Sequence, residues 1–498
     1  MLTRRTVRAA QRRPFLLVAL AAFLVLLTAV TLHGKLTAAT WSTNEQLTQA
    51  KRLLHGSGFV CPVGPERNDP SSWYSPGYVA YLAGILAVVG EDTAWTLPTI
   101  RVLNIAVMSV AIGLFFLLGR RLFGGKIALL ATGLVLFNPA ILSKAEEIWD
   151  TPFVMLCLAL LLILFVLGRP KRKLAVFGSG LACGAAAMIN PCLTACYPLW
   201  VAYSWWRTRK QGDRALAFCK YSGLVLGGFL LAILPWTVRN VATFGSLFYL
   251  RGNLPLEMWV GNAPWSDGYA LSGDRHPVTN PQEGSRMVAL GEYGYFQACR
   301  ADLARWWKED PNRFFTRSLQ RAEWFWLGRY DFPMSESTRL LKLLAVAVPT
   351  LLGIVGAGFA VARRRSALVL LGTLMIFPLI YYVATTYVRY RLPVEPVLLL
   401  LGAMGVIELA GAASGVLAKA VRVAQFATAS ERRLTPLAAR AAGEYRSDEP
   451  LAPAPLHGVA AVGIARPLRS RSGKATDRAS PRAHQRASPV ERVEHPPP

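Results

Sequence analysis

Apolar and polar residues fall along this chain in blocks. Runs of about 20 apolar residues, the length a helix needs to cross a bilayer, recur through residues 14–412. The pattern predicts ten spans, roughly 14–32, 101–119, 126–144, 151–168, 174–190, 191–206, 215–235, 339–361, 366–385 and 392–412. A further apolar stretch, Tyr78 to Val89, is short for a span and opens with Ser75-Pro76-Gly77. It is read as a helix lying in or dipping into the outer interface. The expected fold class is an all-α polytopic membrane protein.

The polar blocks give the orientation. Basic residues cluster at Arg4 to Arg13, Arg120/Arg121/Lys126, Arg169/Lys171/Arg172/Lys173, Arg207/Arg209/Lys210 and Arg363/Arg364/Arg365. With ten spans every cluster falls on the cytoplasmic side, as the positive-inside rule requires. Residues 1–13 then form a basic cytoplasmic N-terminus, and the first span is a retained signal anchor, because no small-residue cleavage motif follows it. Two long external segments are expected, about 33–100 and 236–338. In the second, Gly294 to Trp326 reads as two amphipathic helices broken at Asp310-Pro311, with Phe296, Leu303, Trp306 and Trp307 on the apolar side of one and Phe314, Phe315 and Leu319 on the other. From Ala413 the chain turns rich in Ala, Pro, Ser and Arg and is read as a disordered cytoplasmic tail over 413–498.

Composition narrows the function classes. The chain has 498 residues, 53% hydrophobic and 17% charged, with a formal net charge of +26. A soluble domain carries roughly 25% charged residues. The basic excess sits between apolar segments, which argues for membrane topology and against a nucleic-acid partner. The seven cysteines show no CxxC spacing and the six histidines do not cluster with them, so no zinc site is indicated. Cys61 and Cys299 both fall in the external segments, which leaves a disulfide between them open.

Candidate chemistry comes from charges expected at the outer ends of the spans. Glu45 follows the first span, and Glu146, Glu147 and Asp150 lie in "NPAILSKAEEIWDTPF". Carboxylates at membrane depth are costly, which makes a functional role the default reading, with simple hydration the alternative for Glu146 and Glu147. Arg239 in "PWTVRNVATFG" and Arg389 and Arg391 in "TTYVRYRLPVEP" are outer-side cations that depart from the positive-inside trend. A planar guanidinium fork suits a lipid phosphate. Together these groups fit sugar transfer from a polyprenyl phosphate. The phosphate leaving group needs charge stabilisation, the acceptor hydroxyl needs one general base, and a single displacement inverts the anomeric centre. Oxygen-rich external acids also leave Mg²⁺ or Mn²⁺ open as a cofactor, although no dedicated ligand cluster is visible.

In these features the chain resembles the GT-C membrane glycosyltransferases, in the branch of the protein O-mannosyltransferases and the aminoarabinose lipid A transferase. The resemblance runs from about Pro14 to Gly411. It is carried by the order and spacing of the acid after span one, "GSGF…SPGYVAYLAGILAVVG", "RVLNIAVMSVAIGLFFLLGRRLFGG", "IWDTPF", "PWTVRNVATFG", "MWVGNAP" and "YVRYRLPVEP". It implies an active site on the periplasmic or exoplasmic face of the inner membrane, a polyprenyl-phosphate-linked sugar donor, and a lipid, glycan or protein acceptor of the cell envelope. By position, the family's first-loop acid falls on Glu45 and its second-loop acid on Asp150, with phosphate-binding arginines at Arg239, Arg389 and Arg391. The family often has an Asp-Glu pair where this chain has Asn44-Glu45, and some members have a basic residue where Ser75 stands. Two other readings remain: a polytopic transporter or lipid flippase of envelope precursors, which would use the same charges as a path, and a non-catalytic envelope scaffold.

Overall fold

The computed structural model describes residues 4–38, 44–63, 69–209, 215–269, 275–330, 334–363 and 366–444. Helices dominate. Among the described residues, extended pairing is limited to isolated bridges between Val60 and Pro70 and between Tyr269 and Thr386. The chain divides into two units, residues 1–422 and 423–498. The fold and site described below belong to the first.

Among the described residues, six helices are long and apolar enough to cross a membrane: Pro14–Leu32, Thr96–Leu122, Ala215–Phe244, Glu336–Arg363, Ser366–Val383 and Glu395–Arg422. Four shorter apolar helices accompany them, Pro76–Val89, Gly125–Leu136, Thr151–Leu167 and Lys173–Ile189. The chain is an all-α polytopic membrane protein. Leu16, Leu17, Leu20 and Leu24 of the first helix are more than half exposed, the apolar outer face that lipid covers.

Two Asn-Pro steps break the apolar helices, one inside an expected span and one at the expected boundary between two. The predicted span 126–144 ends at Leu136, and Asn138 caps a new short turn, Pro139–Lys144, by accepting from the amides of Ala140 and Ile141. The predicted spans 174–190 and 191–206 meet at Asn190-Pro191 with no loop between them. Asn190 accepts from Cys192 N, a 3₁₀ turn follows over Pro191–Cys196, and an α-helix continues over Tyr197–Thr208. Proline removes the amide that would continue the helix, and asparagine supplies the cap. The last helix also departs from expectation. It runs from Glu395 to Glu444, through Ala413, so the composition shift there does not end it. Residues 445–498 of the expected tail lie outside the described residues.

Helix Lys173–Ile189 lies very close to Ala215–Phe244. A Cβ on Gly180 would stand 2.0 Å from the Val225 carbonyl oxygen, and one on Gly228 would stand 2.1 Å from that of Phe177. Only glycine lets the two backbones approach this far.

An apolar cluster is built mostly from residues outside the six long helices. It joins Leu47, Trp73, Tyr78, Leu82, Trp259, Phe296 and Trp306, with Ile100 and Ile148 from the ends of neighbouring segments. Its helices are Glu45–Leu54, Pro76–Val89, Leu254–Asn262 and Glu292–Glu309. The predicted break at Asp310-Pro311 is present, with Asp310 capping Arg313 N at 3.2 Å. The buried stripe of the following helix, Pro311–Leu327, is Phe314, Arg321 and Phe325. Phe315 and Leu319, expected on that side, are 61% and 72% exposed. Cys61 and Cys299 are both free and buried. Cys61 sits against Glu292 and Cys299 against Tyr295, so the disulfide left open by the sequence is not formed.

Buried arginines join these layers. Arg321 has no exposed surface. It donates to the carbonyls of Gly261 (2.6 Å), Tyr382 (2.6 Å) and Val383 (3.2 Å) and to Asn262 Oδ1 (2.8 Å). Arg391 pairs with Glu395, Nε to Oε2 at 2.5 Å. It also donates to the carbonyls of Phe325, Trp326 and Val346 and to the Thr350 hydroxyl. Asn138 Nδ2 completes the node on Glu395 Oε1 at 3.3 Å. Removing one partner of such a buried pair leaves an uncompensated charge. Glu395→Gln should therefore cost about 3–5 kcal/mol of stability, read as a lowered thermal midpoint of the detergent-solubilised protein.

Candidate active site

Glu45 opens the helix Glu45–Leu54, whose cap is Asn44. The Asn44 side chain accepts from Leu47 N (2.9 Å) and donates through Nδ2 to the Ile148 carbonyl (3.0 Å). An aspartate could make the first bond but not the second, because an ionised carboxylate has no donor. Asn44 therefore ties the Glu45 helix to the segment that carries Trp149 and Asp150. Ser75, at the other departure from the family pattern, is the N-cap residue of Pro76–Val89.

Asp150 immediately precedes the helix Thr151–Leu162 but makes no side-chain cap to it. Its carboxylate accepts from Asn190 Nδ2 at 2.9 Å instead. Burial raises the Asp150 carboxyl above the usual range, countered by the charge of Arg251, the Asn190 hydrogen bond and the charge of Arg389. Burial likewise raises Glu45, to about 7. Its backbone hydrogen bond and the Arg389 charge lower it, the Glu257 carboxylate raises it, and the Tyr74 hydroxyl, 3.4 Å away, lowers it. Glu45, Asp150 and Arg389 are thus one electrostatic group, although they come from three distant parts of the chain.

Arg389 and Arg391 share the single turn Val388–Arg391. Two residues apart on a helix is about 200° of rotation, so the two side chains part. The Arg389 guanidinium lies over the Trp149 ring, 3.8 Å from its centroid. Arg391 turns into the node with Glu395. Glu147 pairs with Lys144 at 2.6 Å and contributes to the field at Arg389. Glu146 pairs with the largely exposed Lys35 at 3.3 Å. Arg239 is engaged by other groups, with Glu292 the carboxylate that acts on it. It donates to the carbonyls of Ser71 (2.7 Å) and Phe59 (3.1 Å) and lies over the Trp236 and Phe244 rings.

Two members of the group were not singled out in the sequence. Arg251 donates Nε to the Trp73 carbonyl (2.9 Å) and lies over the Tyr74 ring, 5.0 Å from its centroid. Glu257 lies in the first turn of the helix Leu254–Asn262, accepts from Asn253 and Thr385, and acts on Glu45, Tyr74 and Tyr390. Both flank "MWVGNAP", and neither abuts an apolar run in a way that marks membrane depth. Tyr390 stacks on Tyr381 at 4.6 Å. Among the described residues, no group of three or more His, Cys, Asp or Glu side chains stands close enough to hold a metal ion.

No protein-family profile and no curated protein matches the chain. Among solved structures it is similar to the crystal structure of ArnT from Cupriavidus metallidurans bound to undecaprenyl phosphate, with a TM-score of 0.39 and 14% identity over 78% of this chain and 59% of that one. It is similar also to ArnT from the same organism in the apo state, with a TM-score of 0.38 and 13% identity over 80% of this chain and 60% of that one. The chain spans about three fifths of the length of those structures.

The raised Glu45 carboxyl sets a pH dependence. Folding lifts it from 4.5 to about 7, so ionisation opposes the folded state. That cost is absent below pH 4.5, grows between 4.5 and about 7, and is complete above. Glu45→Gln should therefore melt at a higher temperature than the parent at pH 8. The difference should close as the pH falls toward 4.5 in thermal scans of the two proteins.

Proposed function

We propose that this protein is an integral membrane glycosyltransferase that moves a sugar from a polyprenyl-phosphate donor to an envelope acceptor. The observation that carries the reading is the convergence of Glu45, Asp150 and Glu257 with Arg251 and Arg389 beside the ends of the spans. Acids and guanidinium groups together are the two chemistries that displacement of a phosphate by a hydroxyl requires.

In this mechanism Glu45 is the general base. A carboxyl that titrates near 7 is matched to that task at neutral pH. The acceptor hydroxyl oxygen forms a bond to the anomeric carbon while its proton passes to Glu45. The bond from the anomeric carbon to the phosphate oxygen breaks, and the phosphate leaves with the electron pair. Attack opposite the leaving group inverts the centre. Arg389 and Arg251 stabilise the charge gathering on the phosphate. Asp150 orients Arg251, and Glu147 supports Arg389. Arg239 and Arg391, committed to carbonyls and to Glu395, act on the framework of the site. Active-site access from the periplasmic or exoplasmic face belongs to the same reading, as does an inner-membrane location with both termini cytoplasmic. A requirement for Mg²⁺ or Mn²⁺ is read separately, by chelation in the transfer assay.

The deciding experiment is mass spectrometry of polyprenyl-phosphate-linked sugars and envelope glycans in cells with and without the gene. The expected result is loss of one glycan with accumulation of its lipid donor. No change in either pool, with the protein expressed, would move the assignment to transport or to a scaffold. In a purified assay Glu45→Gln should abolish transfer while the protein remains folded in membranes. The parent's rate should fall as the pH drops below about 7, where Glu45 becomes protonated.

A further inference from the structure

Leu250, immediately before Arg251, has φ of +31° and is the non-glycine residue with positive φ among the described residues. An L-residue adopts that backbone at a cost, and such residues persist only where their surroundings hold them. Leu250 is fully buried. Its carbonyl accepts from Trp236 Nε1 at 2.9 Å and is reached by Asn240 Nδ2 at 3.4 Å, so both lone pairs are engaged. The next amide, Arg251 N, donates back to the Tyr249 carbonyl and closes a tight turn. Gly252 N then donates to the Ser72 carbonyl at 2.8 Å, and Arg251 Nε reaches the Trp73 carbonyl.

The same helix grips the other side of this contact. Arg239 Nη1 donates to Ser71 O and to Asn240 Oδ1, the latter at 3.1 Å, and Nη2 donates to Phe59 O. A continuous chain of hydrogen bonds therefore runs from Phe59 and Ser71 through Arg239 and Asn240 to Leu250. It returns from Arg251 to Trp73, next to the tyrosine that bonds Glu45.

We propose that Trp236, Arg239 and Asn240, at the end of the helix Ala215–Phe244, are positioning residues that hold Leu250 in its left-handed turn and so aim Arg251 at the carboxylate group. This rests on the reading of Arg251 as a phosphate ligand. It assigns Arg239, an arginine expected to bind phosphate, to the frame that aims another. If Leu250 relaxed to an ordinary backbone, the direction of the Arg251 side chain would change, and the contacts with Trp73 and Tyr74 would be lost together.

The test is a double-mutant cycle on the affinity of the purified full-length protein for undecaprenyl phosphate, with the thermal midpoint of every variant recorded. Arg251→Ala should weaken binding about tenfold, the scale of one hydrogen bond to a charged group. Trp236→Phe, which keeps a ring but removes the indole N–H, and Asn240→Ala should each weaken it several-fold. In the Arg251→Ala background neither should weaken it further, because their effect passes through Arg251. A purely structural role would lower the midpoints and leave the cycle additive. Additive losses, or unchanged affinity in Trp236→Phe, would overturn the positioning role while leaving Arg251 as a ligand. Should Asn240→Ala fail to fold, Trp236→Phe completes the cycle alone. No binding by the parent, or none lost in Arg251→Ala, would overturn the phosphate reading and this inference with it.

Discussion

Guanidinium groups bonded to backbone carbonyls hold the irregular parts of this protein in place. Segments that join apolar helices carry carbonyls with no partner in a helix or a sheet, and near a bilayer water is a poor substitute. Arg321 gathers the carbonyls of Gly261, Tyr382 and Val383, Arg391 those of Phe325, Trp326 and Val346, and Arg239 those of Phe59 and Ser71. Arg101 does the same for Leu36 and Glu146, and Arg317 for Ser266 and Asp267. Each arginine offers five donors in a rigid plane, so one side chain can fasten two or three strands of backbone at once.

The candidate site is built from the charges this scheme leaves facing one another. Arg251 gives one nitrogen to Trp73 and turns its plane over Tyr74, and Arg389 lies over Trp149. An aromatic face stabilises a cation without occupying the in-plane donors that bind an anion. The carboxylates are held by neutral partners, Asp150 by Asn190 and a backbone amide, Glu45 by Tyr74 and a backbone amide. Those partners fix direction and leave the charge uncancelled, which is why burial governs their protonation.

Much of the architecture was legible from hydrophobic length and proline. The break at Asp310-Pro311, the short helix after Ser75-Pro76 and the positions of most spans follow from local chemistry that any helix obeys. Asp150 and Arg389 could be singled out because a charge beside a greasy run is conspicuous, and Glu45 as the acid of the segment that follows the first span; the structure brings these three together. Arg239 and Arg391 looked the same in the sequence, yet one binds loop carbonyls and the other a buried glutamate. Position relative to a span tells depth; it does not tell which way a side chain turns. Arg251 and Glu257 stood in an ordinary polar segment, and only the long-range folding of residues 249–257 onto 71–74 brings them to the carboxylates. The continuation of the last helix past Ala413 shows the converse, a change of composition without a change of conformation.

The turn that carries Arg389 has an evolutionary corollary. Arg391 is locked to Glu395 one helical turn later, so the register of this turn sets the side on which Arg389 meets Trp149 and Tyr390. Inserting or deleting one residue between them would rotate the two arginines past each other and send the wrong one into the bundle. Selection on this stretch should therefore act on spacing more strictly than on the residues between. Divergent relatives should be easier to find by an Arg-x-Arg-x-x-x-Glu interval at the start of a terminal span than by overall similarity.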